Sequence, residues 1–400
     1  MTETAKPNQK TTRPSILHCP VSWDFESCDP AELEAIVSHL QADQAVKDQL
    51  VFPRGTHLQD GRLDLCKQCI GPTGAEKVAV AVANNHQTKH WLLGANGLGN
   101  EGAKAVAAAT KANPNLETVY LGCNLIEADG AKALTQSLHN NDHITGLWLK
   151  RNPIGVEGAQ AIVEMLQQNQ CLRTLDLVHT RIGSEGIRLV VSALTQPETS
   201  VRRLYLGGNE VGPQEAAWIA EMLAVNRSIH SLYLSVNRLR DTGVGKLAEG
   251  VRQNQTLTAM SVSSNAIGAG GAWALAERLQ NHPSLRLLDV GYDKSTNVLG
   301  EKPNHYGDEG AFAFADYLET NPPLRQLDLR KSGITTAGAQ RLLQSLDSNS
   351  NLTRLVIGGG IAHSIKRQIQ ERMEHNAQQK PEFVLPDYQD IEAIKSVYRS

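Results

Sequence analysis

Residues 116–141, LETVYLGCNLIEADGAKALTQSLHNN, decide how this chain folds. Val119 and Leu121 alternate, and alternate residues of a strand share one face. Glu117, Thr118, Tyr120 and Gly122 fall outside that inward pair. Asn124 then turns the chain. Its amide both donates and accepts, so a column of such residues can satisfy the backbone of adjoining turns. Ile126 re-enters the core, and Gly130 and Ala131 open a helix with Ala133, Leu134 and Leu138 on its inner face. Asn140 and Asn141 end that helix, and the left-handed conformation is open to either. The same frame recurs from Asn152 through Gly158 and Leu166 to Asn169, and from Asn265 through Gly271 and Leu279 to Asn281.

The underlying phrase, L-x-x-L-x-L-x-x-N-x-[IL]-G, occurs eleven times, some copies degenerate at the Asn slot. That slot falls at Gln68, Asn96, Asn124, Asn152, Thr180, Asn209, Asn237, Asn265, Asp293, Ser332 and Gly360. Nine of the ten intervals are 28 or 29 residues, and the tenth is 39, one repeat plus eleven residues. A fixed period in this range marks a stacked array, in which each repeat touches only its neighbours. A single compact core of 400 residues would exceed the usual ceiling of about 250–300. Aromatics are only 4% of the chain, which suits a thin core of Leu, Ile, Val and Ala. A net charge of -3 supplies no general field for nucleic acid or an acidic membrane. No run of about 18 apolar residues occurs, so no span is expected to cross a bilayer. Residues 1–15 are polar, so disorder and no signal peptide are expected there. Six cysteines in a chain of this length fit a reducing compartment, and the cytoplasm is the expected location.

These residues resemble the ribonuclease-inhibitor-like leucine-rich repeat family over about residues 60–365. The resemblance implies an α/β fold: a right-handed horseshoe solenoid with a parallel sheet on the concave face and helices on the convex face. The family includes ribonuclease inhibitor, the Ran GTPase-activating protein and sensor regions of innate immune receptors. This chain is poorer in cysteine than ribonuclease inhibitor and lacks its alternation of two repeat types. It also lacks the acidic tail of the Ran-activating protein, so neither function transfers residue by residue.

Residues 16–59 are expected to cap the first repeat, with Asp29 as N-cap, Pro30 at the first helical position and Leu33, Ile36, Val37 and Leu40 inward. The solenoid is expected over 60–362. The extra residues, 294–305, would lengthen a rim loop after the strand ending near Tyr292, and are expected either to be disordered or to form a side wall for a ligand. Residues 363–400 would form a last helix over 363–376 and an apolar tail. The tail is expected to end in a short helix, 387–398, closing the far end of the array, the alternative being that it folds over the concave face.

Four residues before the slot lies an outward column: Asp64, Leu92, Tyr120, Trp148, Asp176, Tyr205, Tyr233, Ser261, Asp289, Asp328 and Val356. Tyr120, Trp148, Tyr205 and Tyr233 fall within five consecutive strands, a stripe of roughly 20 Å at about 4.8 Å per strand. Aromatics favour strands and stack across them. On a concave wall they also make anchors, because a large rigid ring carries a polar tip. Lys150, Arg151, Asp176, His179 and Arg203 flank them and would set specificity. The leading expectation is therefore a cytoplasmic interaction scaffold that binds a protein or peptide, with no nucleic acid, membrane, metal or cofactor. Alternatives are a Ran-type GTPase-activating regulator and a peptide-modifying enzyme using an Asp176–His179 pair. Cys66 and Cys69 with Cys19 and Cys28 suggest a zinc site by their C-x-x-C pair. The first pair straddles a strand–loop junction, however, so structural thiols are expected.

Overall fold

A computed structural model describes residues 26–380, 383 and 394–397. Residues 1–15 and Cys19 lie outside the described residues. Among the described residues one sheet of 13 strands runs in sequence order. The first two strands, Leu50–Val51 and Thr56–His57, form an antiparallel hairpin on Arg62–Asp64. Every later pair is parallel, from Arg62–Asp64 on His90–Leu92 to Gln326–Asp328 on Arg354–Val356. Helices cross between successive strands, so the chain is an α/β leucine-rich repeat solenoid, with its sheet concave and its helices convex.

Each three-residue strand turns its middle residue toward the helices. Trp91, Val119, Leu147, Leu175, Leu204 and Leu232 all join the main core with the inner faces of the helices. Small residues at the helix starts allow this close approach: a side chain on Gly158 would stand 2.6 Å from Ile154 Cβ.

The Asn slot holds the register. Asn152 Nδ2 donates to the carbonyls of Leu121 and Leu149 (2.8 and 2.9 Å), and its Oδ1 accepts from Asn124 N and Ile126 N (2.8 and 3.1 Å). One buried amide thus joins two repeats through four hydrogen bonds. Of the bonds an Asn would make, Thr180 keeps the one to Leu177 O, its hydroxyl also reaching Asn209 Oδ1 (3.5 Å), and there Ile154 N turns to the carbonyl of Asn152 instead.

A second Asn column closes the helix ends. Asn113 Nδ2 donates to the carbonyls of Val82 and Asn85 (both 2.7 Å), and Asn169 and Asn254 repeat the pattern. These amides add a partner to carbonyls that lie past the last regular helical bond. The left-handed cap considered for Asn140 or Asn141 is not used: neither has positive φ, and Asn141 Oδ1 instead accepts from the amides of His143 and Ile144.

Three sequence expectations need correction. Asp293 does not hold the ninth turn; Asn304 does. Its Oδ1 accepts from Asn265 N and Ile267 N (2.7 and 3.0 Å), and its Nδ2 donates to Val262 O and Val290 O. The extra residues therefore precede the turn amide, as 293–303, and contain a short helix, Thr296–Leu299. Of the helix expected over 387–398 only 394–397 lie within the described residues, and those are not helical. Nor do they close the far end of the array: Ser396 and Val397 meet Asp64, in the first parallel strand.

At the start, Asp29 caps Pro30–Leu33 by accepting from Ala31 N, and Ile36, Val37 and Leu40 of Glu34–Ala42 enter the core. At the other end the helix His363–Gln378 buries Ile365, Ile369 and Met373.

Replacing Asn304 with Ala strands several buried backbone groups, each costing about 1–3 kcal/mol. Asn304→Ala is expected to destabilise the chain by about 3 kcal/mol and Asp293→Ala by less than about 1 kcal/mol, read from denaturant midpoints. Equal losses would return the slot to Asp293.

Candidate binding face

Leu92, Tyr120, Trp148, Asp176, Tyr205 and Tyr233 are partners in successive strand pairs, so they form one column. They point away from the main core. Leu92, Tyr120 and Trp148 belong to a separate apolar cluster on the concave side, together with Cys66 and Ile394. Cys28 lies in the main core across the sheet, so Cys66 and Cys28 do not converge on one site.

The rings have beds of glycine. A Cβ on Gly94 or Gly122 would stand 2.5 Å from the Tyr120 ring carbon and hydroxyl, and one on Gly146 would strike the Trp148 ring. Tyr120 and Trp148 therefore lean along the sheet. Tyr205 and Tyr233 stack at 4.3 Å with planes 7° apart, and Lys150 Nζ stands 5.7 Å from the Tyr120 ring centre. Sequence reasoning missed these glycines, although a small residue beside each bulky one was a readable signal.

The 293–303 segment walls this floor. Arg151 Nη2 donates to Ser295 Oγ (3.3 Å), and Arg238 pairs with Glu301 (2.8 Å). Leu299 lies against Gly208, where an added Cβ would come within 3.0 Å of it. The open groove between floor and wall holds about 520 Å³, lined by Tyr120, Trp148, Asp176, Tyr205, Tyr233, Ser295, Leu299 and Ile394 among others.

At the other side stands Ile394, whose segment covers part of the face. Tyr120 and Trp148 are only 4% and 2% exposed, so these two anchors are occluded rather than open as expected. Burying one such aliphatic side chain is worth about 2 kcal/mol, a grip that can be broken.

The flanking polar residues divide. Lys150, Arg151 and Asp176 line the groove. Arg203 is buried, and its Nε donates to Thr174 Oγ1 (2.8 Å). Asp176 Oδ1 accepts from Val178 N (2.9 Å). His179 takes a left-handed turn (φ 53°), and its Nδ1 is buried without a hydrogen-bond partner. Burial, with Arg151 and Arg181 nearby, pushes its pKa down to about 4. With Nδ1 unpartnered, no bond from Asp176 orients the ring through that nitrogen, as the peptide-modifying alternative required.

Farther along, Asp328 is held by Arg330 and Asp289 by Ser261 Oγ (2.8 Å). Burial raises the Asp289 carboxyl above its usual range. Those charges are largely satisfied within the sheet.

A family model described as Leucine Rich repeat matches residues 112–134, 168–191, 225–248, 253–276 and 320–343. Among solved structures, a chain from the yeast Rad7 and Elc1 complex is 14% identical, over 86% of this chain and 81% of that one, with a TM-score of 0.50. The leucine-rich repeat-containing protein LegL7 of Legionella pneumophila is 17% identical, over 74% of this chain and 94% of that one, with a TM-score of 0.47. No curated protein matches the sequence. At 14% identity the likeness to the yeast chain is one of fold alone.

The depressed His179 pKa has a definite sign. The folded chain keeps the ring neutral while the unfolded chain protonates it below about 6.5, so this contribution is whole above that pH and is lost as pH falls toward 4. His179→Gln is expected to flatten the pH dependence of the unfolding free energy between those values by about one proton. An unchanged slope would refute a neutral buried ring.

Proposed function

The chain is a leucine-rich repeat protein, and from that premise we propose that it binds a protein or peptide segment on its concave face. One observation carries the reading: an aromatic column laid on glycine, walled by a segment that the repeat itself does not need. A repeat without 293–303 would still close its ladder through Asn304. Strand residues on a solvent face do not require aromatic rings for folding, whereas rigid rings with polar tips are what binding hot spots use.

In this reading Tyr205 and Tyr233 are the accessible anchors, and Tyr120 and Trp148 line the deeper part of the groove. Lys150, Arg151 and Asp176 set charge selectivity, which tunes partner choice more than affinity. Arg203 braces the floor through Thr174, and His179 shapes the wall beside Leu299. The proposed setting is the cytoplasm, because six cysteines in a chain of this length fit a reducing compartment.

Tagged chain is the bait for a quantitative pull-down. Tyr205→Ala/Tyr233→Ala should lose at least one class of captured protein that wild type and the convex-face control Trp273→Ala both retain. Identical capture by all three baits would contradict the proposal.

Removing 293–303 should leave a regular 28-residue step between slots and a cooperative unfolding transition. Capture of the same proteins should fall roughly tenfold, the loss of about 1.4 kcal/mol of contact. Undiminished capture by the folded deletion variant would remove the wall from the binding site.

A further inference from the structure

Residues 394–397 lie on the concave face much as a bound peptide would. Ile394 packs on Cys66, Leu92, Tyr120 and Trp148, and is itself 8% exposed. Two residues on, Ser396 Oγ stands 2.9 and 2.7 Å from the two carboxylate oxygens of Asp64. Val397 N donates to Asp64 Oδ2 (2.7 Å), and Arg62 Nη1 donates to the carbonyl of Lys395. Asp64 is wholly buried and belongs to the same column as the aromatics. One apolar anchor, one side-chain hydrogen bond and two backbone contacts hold four consecutive residues. Extended peptides are recognised in this way, by main-chain bonds for affinity and side-chain pockets for selectivity.

We propose that residues 394–397 are a tethered occupant of the binding face, and that phosphorylation of Ser396 unseats them. The inference rests on the concave face being where the partner binds. Ile394 follows Lys380 by only fourteen residues. The segment belongs to the same chain as the face it covers, so a free partner must outcompete it. The grip is also small: a single apolar side chain enters the aromatic cluster, whereas the main core runs through every repeat.

The Ser396–Asp64 contact is the sensitive point. There a hydroxyl donates to a carboxylate that water does not reach. In phosphoryl transfer from a nucleoside triphosphate by a protein kinase, Ser396 Oγ forms the new bond to the γ-phosphorus. The bond to the nucleoside diphosphate breaks, the diphosphate leaves, and the hydroxyl proton passes to the kinase base. The ester oxygen then has no proton to donate, and the group adds a charge of about -1.5 to -2. Placed against Asp64, it turns the contact from attraction to repulsion. The segment leaves, and Leu92, Tyr120 and Trp148 become available to a partner.

The test uses the full chain and a fluorescently labelled peptide with the sequence of residues 391–400, read by anisotropy. Wild type should bind this peptide weakly, because its own segment competes. Ile394→Asp and Ser396→Glu chains should bind it roughly tenfold or more tightly, and a Ser396-phosphorylated peptide should bind none of them. A second reading is amide hydrogen exchange in wild type and Ser396→Glu. Exchange over 62–66 and 118–124 should quicken in the variant, with the helices unchanged. Equal peptide affinity in all three chains, or equal exchange in both, overturns the tethered occupant. Failure of the binding-face reading looks different: the peptide still distinguishes the chains, but Tyr205→Ala/Tyr233→Ala captures the same proteins as wild type.

Discussion

Everything in this molecule depends on a buried amide that serves two repeats at once. Each slot Asn donates to carbonyls of its own and the preceding repeat, and accepts from the preceding repeat's amides, as Asn124 and Asn152 do. Such groups are costly when buried without partners and cohesive when fully paired. The ladder therefore fixes not only spacing but register. A slip of one residue would turn every strand side chain to the wrong face. Because the register holds from Arg62 to Val356, side chains of equal offset align, and a property of single residues becomes a surface.

That surface is shaped by what lies beside each ring as much as by the rings. Gly94, Gly122 and Gly146 let Tyr120 and Trp148 lean over rather than stand, and Gly208 admits Leu299 from the inserted segment. Departures from the ladder are handled locally. Thr180 keeps one of the bonds an Asn would make. His282 replaces Asn in the helix-end column, where Nδ1 accepts from Ser284 and Leu285 as an amide oxygen would. Its Nε2 is left buried without a partner, and burial with Arg286 nearby pushes its pKa down to about 4.

The repeats, their inward residues and the outward column were legible because periodicity records them many times over. Val119, Leu121 and Ile126 lie in the core, and Tyr120 lies opposite, as the alternation of a strand requires. Features that occur once were not legible. Asp293 sits at the expected spacing from Asn265, but the chain detours before turning, so counting alone chose the wrong residue. Asn304, 28 residues before Ser332, was the available correction. The segment 394–397 was assigned first to the far end, with the concave face as the alternative, because nearness in sequence suggested nearness in space. Its true contact with Asp64 spans more than 330 positions, and no local pattern encodes it. Ile394 and Val397 advertised an apolar segment without naming where it docks.

The most direct measurement is disulfide trapping with the native Cys66. Cys66 lies two residues before the first slot, on the concave side, in contact with Ile394. In an Ile394→Cys chain under mild oxidant, peptide mapping should find the new thiol joined to Cys66, with Cys28 unreacted behind the sheet. A new thiol that remains free in the folded chain, or joins Cys28 instead, would contradict both the register and the occupied face.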